Sequence, residues 1–308
     1  MAGRRIWLLN FDADEELARP DGYAPSTAVL ARFRGLGARL GGLVPAADVV
    51  IDPQHVTSLP PGECEGRAFC PTPRALRILA QAGAVLPAAP SIDILRRVNH
   101  RAFSAGLGPC LPGARYVRKR EDLLAALATA EGPWVLKRAF GFAGRGRQRL
   151  RSNELDASVE PFVRASLESG EGLEVEPWVN RSLDVGVHGF VAQTGAITMG
   201  EPTRQDVDAS GAWIRSVPAQ RGVLDAVEEA ALRSEGERVA RMLFAAGYFG
   251  PFGIDAYRWK DERGELQFNS RSEINARYSM GWAVGMGDRR PDLEPRLRAP
   301  PKSAKIDE

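Results

Sequence analysis

The residues with most chemistry to offer lie in one run, LQFNSRSEINARYSMG, from Leu266 to Gly281. Glu273 and Asn275 stand two apart, with Arg271 two before them and Arg277 two after. Side chains two apart on a strand point to one face, so a straight strand would converge all four on one patch. Burying such a patch without a use for it is costly, which favours function over a solvated edge. Asp255, in GPFGIDAYRW, adds a second carboxylate on a neighbouring strand. Asp255, Glu273 and the amide oxygen of Asn275 are hard oxygen donors of the kind magnesium takes, water and phosphate oxygens completing its shell.

Two other stretches carry signals. In VLKRAFGFAGRG a strand delivers Lys137 and is followed by Gly141, Gly144 and Gly146, a loop whose backbone N–H groups can approach an anion because no side chain intervenes. It is neither a Walker A loop, lacking Gly-Lys-Ser/Thr, nor a dinucleotide fingerprint, because RQRL continues as strand instead of helix. An ordinary glycine-rich hairpin with a surface lysine would look the same. In LEVEPWVNRSLDVGV, Glu174 and Glu176 share a strand face, and Pro177 leaves backbone groups unpaired near Trp178 and Val179. Free backbone beside an apolar side chain suits an adenine ring; a strand end with solvated glutamates is the plainer alternative. His55, His100 and His188 have no partner at zinc-ligand spacing, and no nucleophile elbow is present.

Positioning these residues requires strands. RIWLLNFD and AADVVID read as strands flanking a helical STAVLARFRGLGARLGG, a small N-terminal α/β unit with one more helix, RALRILAQAG, ending near residue 97. RRVNHRAFSAGLGP reads as one helix closed by Gly108-Pro109. Short strands follow: GARYV, PWVLKRA, RQRL, LEVEPWV, DVGVHGFV, AITMGEP and AWIRSV, with TRQDVDASGAW holding a loop. A long amphipathic helix, EEAALRSEGERVARMLFAAG, leads to the strands that bear Asp255 and Glu273. From Asp288 onward, proline and charge predict a disordered tail, residues 288–308.

The 308 residues are 44% apolar and 26% charged, enough for two or three packed domains. Net charge is 41 − 39 = +2, which gives no electrostatic case for nucleic acid or an anionic membrane. Cys64, Cys70 and Cys110 fit neither a disulfide framework nor a zinc knuckle and predict reduced thiols. The opening apolar run, Ile6 to Leu9, is too short for an export signal, and nothing approaches the roughly 20 apolar residues of a membrane span. A cytoplasmic protein is expected.

In chain order these motifs resemble the ATP-grasp superfamily over about residues 98–283. The resemblance implies an α+β fold in which two lobes, 98–180 and 181–287, sandwich ATP, preceded by a small α/β pre-ATP-grasp domain, 1–97. It implies nucleotide contacts from Arg101, where a lysine is usual, from Lys137 with the loop of Gly141, Gly144 and Gly146, from Glu176, Trp178 and Val179 to adenine, and from Asp184 to ribose. Asp255, Glu273 and Asn275 fall on the ligand positions for magnesium, or manganese in its place. Arg277 completes an E-x-N-x-R arrangement and is the catalytic candidate, with Arg271 and Arg215 as helpers. The implied activity is a carbon–nitrogen ligase that activates a small-molecule or peptide carboxylate as an acyl phosphate and couples it to an amine, releasing ADP and phosphate. A phosphotransferase on the same scaffold and a non-catalytic nucleotide-binding protein are the alternatives.

Overall fold

A computed structural model of the chain describes residues 4–33, 35–40, 42–56, 64–109, 111–141, 146–208 and 213–294. The N-terminal part holds β1 (Arg5–Leu8), α1 (Ala13–Ala18), α2 (Thr27–Arg32), β2 (Val49–Val50), β3 (Glu65–Ala68) and α3 (Pro73–Gln81). β1 is buried throughout and lies between β2 and β3, all parallel. Its alternation divides the packing: Ile6 and Leu8 join Ala75 and Leu79 of α3, whereas Trp7 joins Tyr278 and Trp282 near the far end of the chain.

The segment read as one helix is two, α4 (Ile92–Asn99) and α5 (Arg101–Gly106). His100 breaks it by adopting extended backbone, ψ 131°, and its Nδ1 accepts the Ala102 N–H at 3.0 Å, capping the second helix. Nε2 is then the protonated nitrogen and donates to Glu171 at 2.8 Å. The sequence-derived boundary at residue 97 therefore falls inside α4, whose Leu95 and Val98 pack in the same core as Leu17 and the large sheet.

Next come β4 (Arg115–Val117), α6 (Arg120–Leu127), β5 (Trp134–Arg138), β6 (Arg147–Leu150), α7 (Glu160–Glu168) and β7 (Leu173–Pro177), a sheet ordered β4-β7-β5-β6. On β5 and β7, Trp134, Leu136, Leu173 and Val175 face the core with Leu123 and Val163. The other face carries Lys137 opposite Glu174, with Glu176 diagonal to it.

The second lobe comprises β8 (Asn180–Val191), β9 (Ile197–Met199), β10 (Thr203–Val207), β11 (Trp213–Pro218), α8 (Ala226–Ala245), β12 (Gly250–Lys260), β13 (Leu266–Asn275) and α9 (Trp282–Met286). The sheet runs β11-β10-β8-β12-β13, with β9 beside β8. Thr203–Val207, taken with the loop in the sequence, is a central strand. An Asp225–Glu228 capping box starts α8. α8 covers one face of the sheet through Leu232, Val239 and Leu243 against Val185, Val187 and Ile254. Gly236 permits this approach, since a Cβ there would lie 2.8 Å from Met199 and 2.9 Å from Val187. The opposite face, bearing Asp184, Gln205, Asp255, Glu273 and Asn275, is left for the cleft.

The C-terminal expectation is also corrected. Residues 288–294 hold a 3₁₀ turn over Pro291–Leu293 and a buried Asp292 that accepts from Tyr278 Oη at 2.9 Å. Residues 295–308 lie outside those described.

Candidate functional site

Between the exposed faces of the two lobes lies a cleft of about 160 Å³. Arg101, Lys137, Gly141 and Arg147 line it from one side, and Asp184, Gln205, Asp255, Glu273, Asn275 and Arg277 from the other. Of the predicted glycines, Gly144 lies outside the described residues. Gly146 holds the turn into β6 at φ 69°, where a Cβ would meet the Phe140 carbonyl at 3.2 Å.

The floor is built by register. Asp255 on β12 is paired directly with Glu273 on β13, which sets two carboxylates side by side. Burial first, and the Glu273 charge second, push the Asp255 carboxyl up to about 6. Gln205 Nε2 donates to its Oδ1 at 2.6 Å and Asn275 Nδ2 to its Oδ2 at 3.0 Å. Gln205 was missed by sequence reasoning because it sits in the stretch read as a loop; its signal is the alternation of Thr203, Gln205 and Val207. Asn275 Oδ1 accepts from Arg277 Nη1 at 2.8 Å, so the placed amide turns its nitrogen, not its oxygen, to Asp255. Among the described residues no three histidine, cysteine, aspartate or glutamate side chains are grouped to hold a metal; the oxygen donors present are the Asp255–Glu273 pair and the amide of Asn275.

Arg271 is not on this floor. Asn269 pairs with Tyr257 while Glu273 pairs with Asp255, so Ser270, Arg271 and Ser272 bulge opposite Ala256 alone. The bulge turns Arg271 away: its Nη1 donates to Glu235 of α8 at 2.7 Å, its Nε to Ser104 Oγ at 3.2 Å, and its Nη2 to the Gly108 carbonyl. Arg215, the other suggested helper, is an exposed partner of Asp206 at 2.7 Å and is not among the residues lining the cleft.

The walls are cationic. Lys137 Nζ lies 2.6 Å from Glu176 and 3.4 Å from Glu174. Burial raises the Glu174 carboxyl, with Lys137 opposing. Arg101 reaches Glu174 at 3.5 Å and Glu273 at 2.8 Å, joining the two sheets. Burial disfavours its charge, but Glu273, Glu174 and Glu176 outweigh that and the guanidinium is held more firmly protonated. Arg277 is buried and paired with Asp14 of α1 at 2.6 Å. Burial, opposed by Arg277, raises the Asp14 carboxyl.

On the expected adenine side, Glu176 is engaged by Lys137, and the Trp178 N–H is taken by the Pro133 carbonyl at 2.8 Å, contrary to the free donor the sequence predicts. The Trp178 ring is 40% exposed beneath Arg149, 4.1 Å from its centroid, and is not among the residues lining the cleft. Val179 packs beside Leu111, Tyr257 and Trp259. Asp184 lines the cleft and accepts from Arg181 at 3.1 Å. His188 also lines the cleft, buried between Ser279 and Thr203, and burial pushes its imidazole down to about 3.

No family model matches the chain, and no curated protein matches it either. Solved structures do. The biotin carboxylase domain of the 2-oxoglutarate carboxylase of Hydrogenobacter thermophilus, solved with magnesium ADP, ADP and bicarbonate, superposes with TM-score 0.55 at 14% identity, over 97% of this chain and 72% of that one. D-alanyl-alanine synthetase A of Vibrio cholerae O1 biovar eltor superposes with TM-score 0.54 at 13% identity, over 93% and 92%. The biotin carboxylase of Campylobacter jejuni gives 0.53 at 13%, over 92% and 67%. No helix among the described residues is long and apolar enough to cross a membrane. Two lobes facing each other across a charged cleft, superposable on these enzymes along nearly the whole chain, give the protein the ATP-grasp fold.

Proposed function

We propose that the cleft binds ATP with magnesium and that the protein activates a carboxylate as an acyl phosphate, then passes the acyl group to an amine. The observation that carries the proposal is the Asp255–Glu273 pair on the floor beneath Lys137, Arg101, Arg147 and Arg277. Two adjacent carboxylates, one held protonated to about 6 by burial and its neighbour, form an oxygen site that a divalent cation relieves of its repulsion. Asn275 joins as a third oxygen once its amide turns over. A divalent cation held by Asp255 and Glu273 would supply charge neutralisation for the nucleotide's phosphates.

The chain's own residues do the positioning. Lys137 and the loop entered by Gly141 and left by Gly146 hold phosphates, with Arg101 beside them. Gln205 fixes the Asp255 carboxylate. Arg277, locked by Asp14, presents a permanent positive charge where the transferring phosphoryl group gathers negative charge. Asp184 faces the ribose, and Glu176 lies on the side where the base would enter.

Incubation with ATP, magnesium and pooled carboxylates and amines, followed by mass spectrometry, tests the reading. ADP, phosphate and a condensed product are expected. A phosphorylated product without condensation would make the protein a phosphotransferase, and no nucleotide turnover with any pool would sink both.

A further inference from the structure

A second cavity, of about 420 Å³, opens between α1 and the first lobe and is used by nothing above. Phe11, Phe33 and Phe140 form its apolar wall, and Arg19, Arg138 and Glu171 also border it. Its inner end is anionic. Asp14 is only 5% exposed, and while Oδ2 holds Arg277, Oδ1 accepts no hydrogen bond among the described residues. Glu15 stands nearer solvent, 3.6 Å from Arg32. Gly141 borders both this cavity and the nucleotide cleft, and the Asp14–Arg277 pair joins them, since Asp14 lines one and Arg277 the other.

We infer that this cavity binds the nucleophile of the proposed reaction, an amine carried on an aromatic or branched apolar body. The inference rests on the ATP-dependent reading of the cleft. The apolar walls desolvate the body, and an ammonium at the inner end meets Asp14 Oδ1, the acceptor left open there, with Glu15 adding charge from the mouth. A carboxylate at that end would instead face Asp14, which disfavours an anion of the same shape there although Arg19 and Arg138 border the cavity elsewhere. The position also sets the amine beside Arg277, where the activated acyl group would lie.

The test is equilibrium binding to the full chain without nucleotide, by saturation-transfer NMR, using phenethylamine, phenylacetate and methylamine as probes. Phenethylamine is expected to bind in the millimolar range, with phenylacetate and methylamine at least tenfold weaker. Phe33→Ala, at a partly exposed position, should weaken phenethylamine several-fold while the fold persists, and Asp14→Asn should weaken it tenfold or more. Phenylacetate binding as tightly as phenethylamine, or phenethylamine binding unchanged in Phe33→Ala, would overturn the inference, as would no binding of the amine. Magnesium ADP binding is titrated on the same samples: its absence beside intact amine binding would remove the ATP reading while leaving an amine pocket.

Discussion

At the scale of single residues the strongest expectation concerns Glu273. Glu273→Gln keeps the shape and removes a charge from both the metal pair and the Arg101 bridge; turnover should fall by about 100-fold or more, on the order of losing a preorganised electrostatic contact, with circular dichroism unchanged. Full activity would end the metal assignment. Lys137→Ala removes a charge-assisted contact, so ATP affinity should drop by about 1.5–3 kcal/mol in a nucleotide titration. Asp255 gives a pH dependence whose sign is set by its raised carboxyl. The unfolded chain ionises it near 3.8 and the folded chain near 6, so the folded state holds the extra proton and loses stability as pH rises across that window. Asp255→Asn should lack this loss, seen as a difference in denaturant midpoint from the parent that grows between pH 4 and pH 7. Magnesium binding, which displaces the same proton, should tighten as pH passes 6.

At the scale of elements, what alternates was legible in the sequence and what bulges was not. Period-two spacing assigned Glu174 with Glu176 to one face and Glu273 with Asn275 to another, because each strand puts an apolar residue in the core at every second step; that Lys137 joins the first pair is set by the pairing of β5 with β7. The same rule misplaced Arg271, since the bulge of Ser270, Arg271 and Ser272 opposite Ala256 takes it off the pleat and no local residue type announces it. Gln205 was hidden for a related reason: β10 carries one apolar residue, Val207 at its end, too little to mark a strand. The corrected role of Arg271 is testable. Arg271→Met would remove the bonds to Glu235, Ser104 and the Gly108 carbonyl while Glu235 keeps Arg238 at 2.7 Å, so unfolding free energy should fall by about 1–3 kcal/mol in chemical denaturation. Nucleotide affinity of the folded fraction should stay at the parent value, whereas a residue of the floor would change it.

At the scale of the whole molecule, the N-terminal part is bonded into the rest instead of tethered to it. Trp7 packs against Tyr278 at 5.5 Å between ring centroids, and Arg67 donates to the Asp292 carbonyl at 3.1 Å. One cooperative calorimetric transition is therefore expected, moved upward by magnesium ATP with about 2.7 kcal/mol of stabilisation at a hundred times the dissociation constant. Two separated transitions would show that the shared core does not couple the parts.

Arg101 connects the parts at the cleft itself. One guanidinium grips Glu174 on the first sheet, Glu273 on the second and the Arg138 carbonyl beside the loop, so the lobes cannot separate without releasing at least one of these bonds. The jaw thus carries its own latch, and the dwell time of spent nucleotide becomes a property of that side chain. A lysine, with a point charge and no fork, cannot hold three acceptors in fixed directions at once. Arg101→Lys should shorten ADP residence in a stopped-flow chase while leaving the fold in place, and if product escape limits turnover the variant will run faster than its parent.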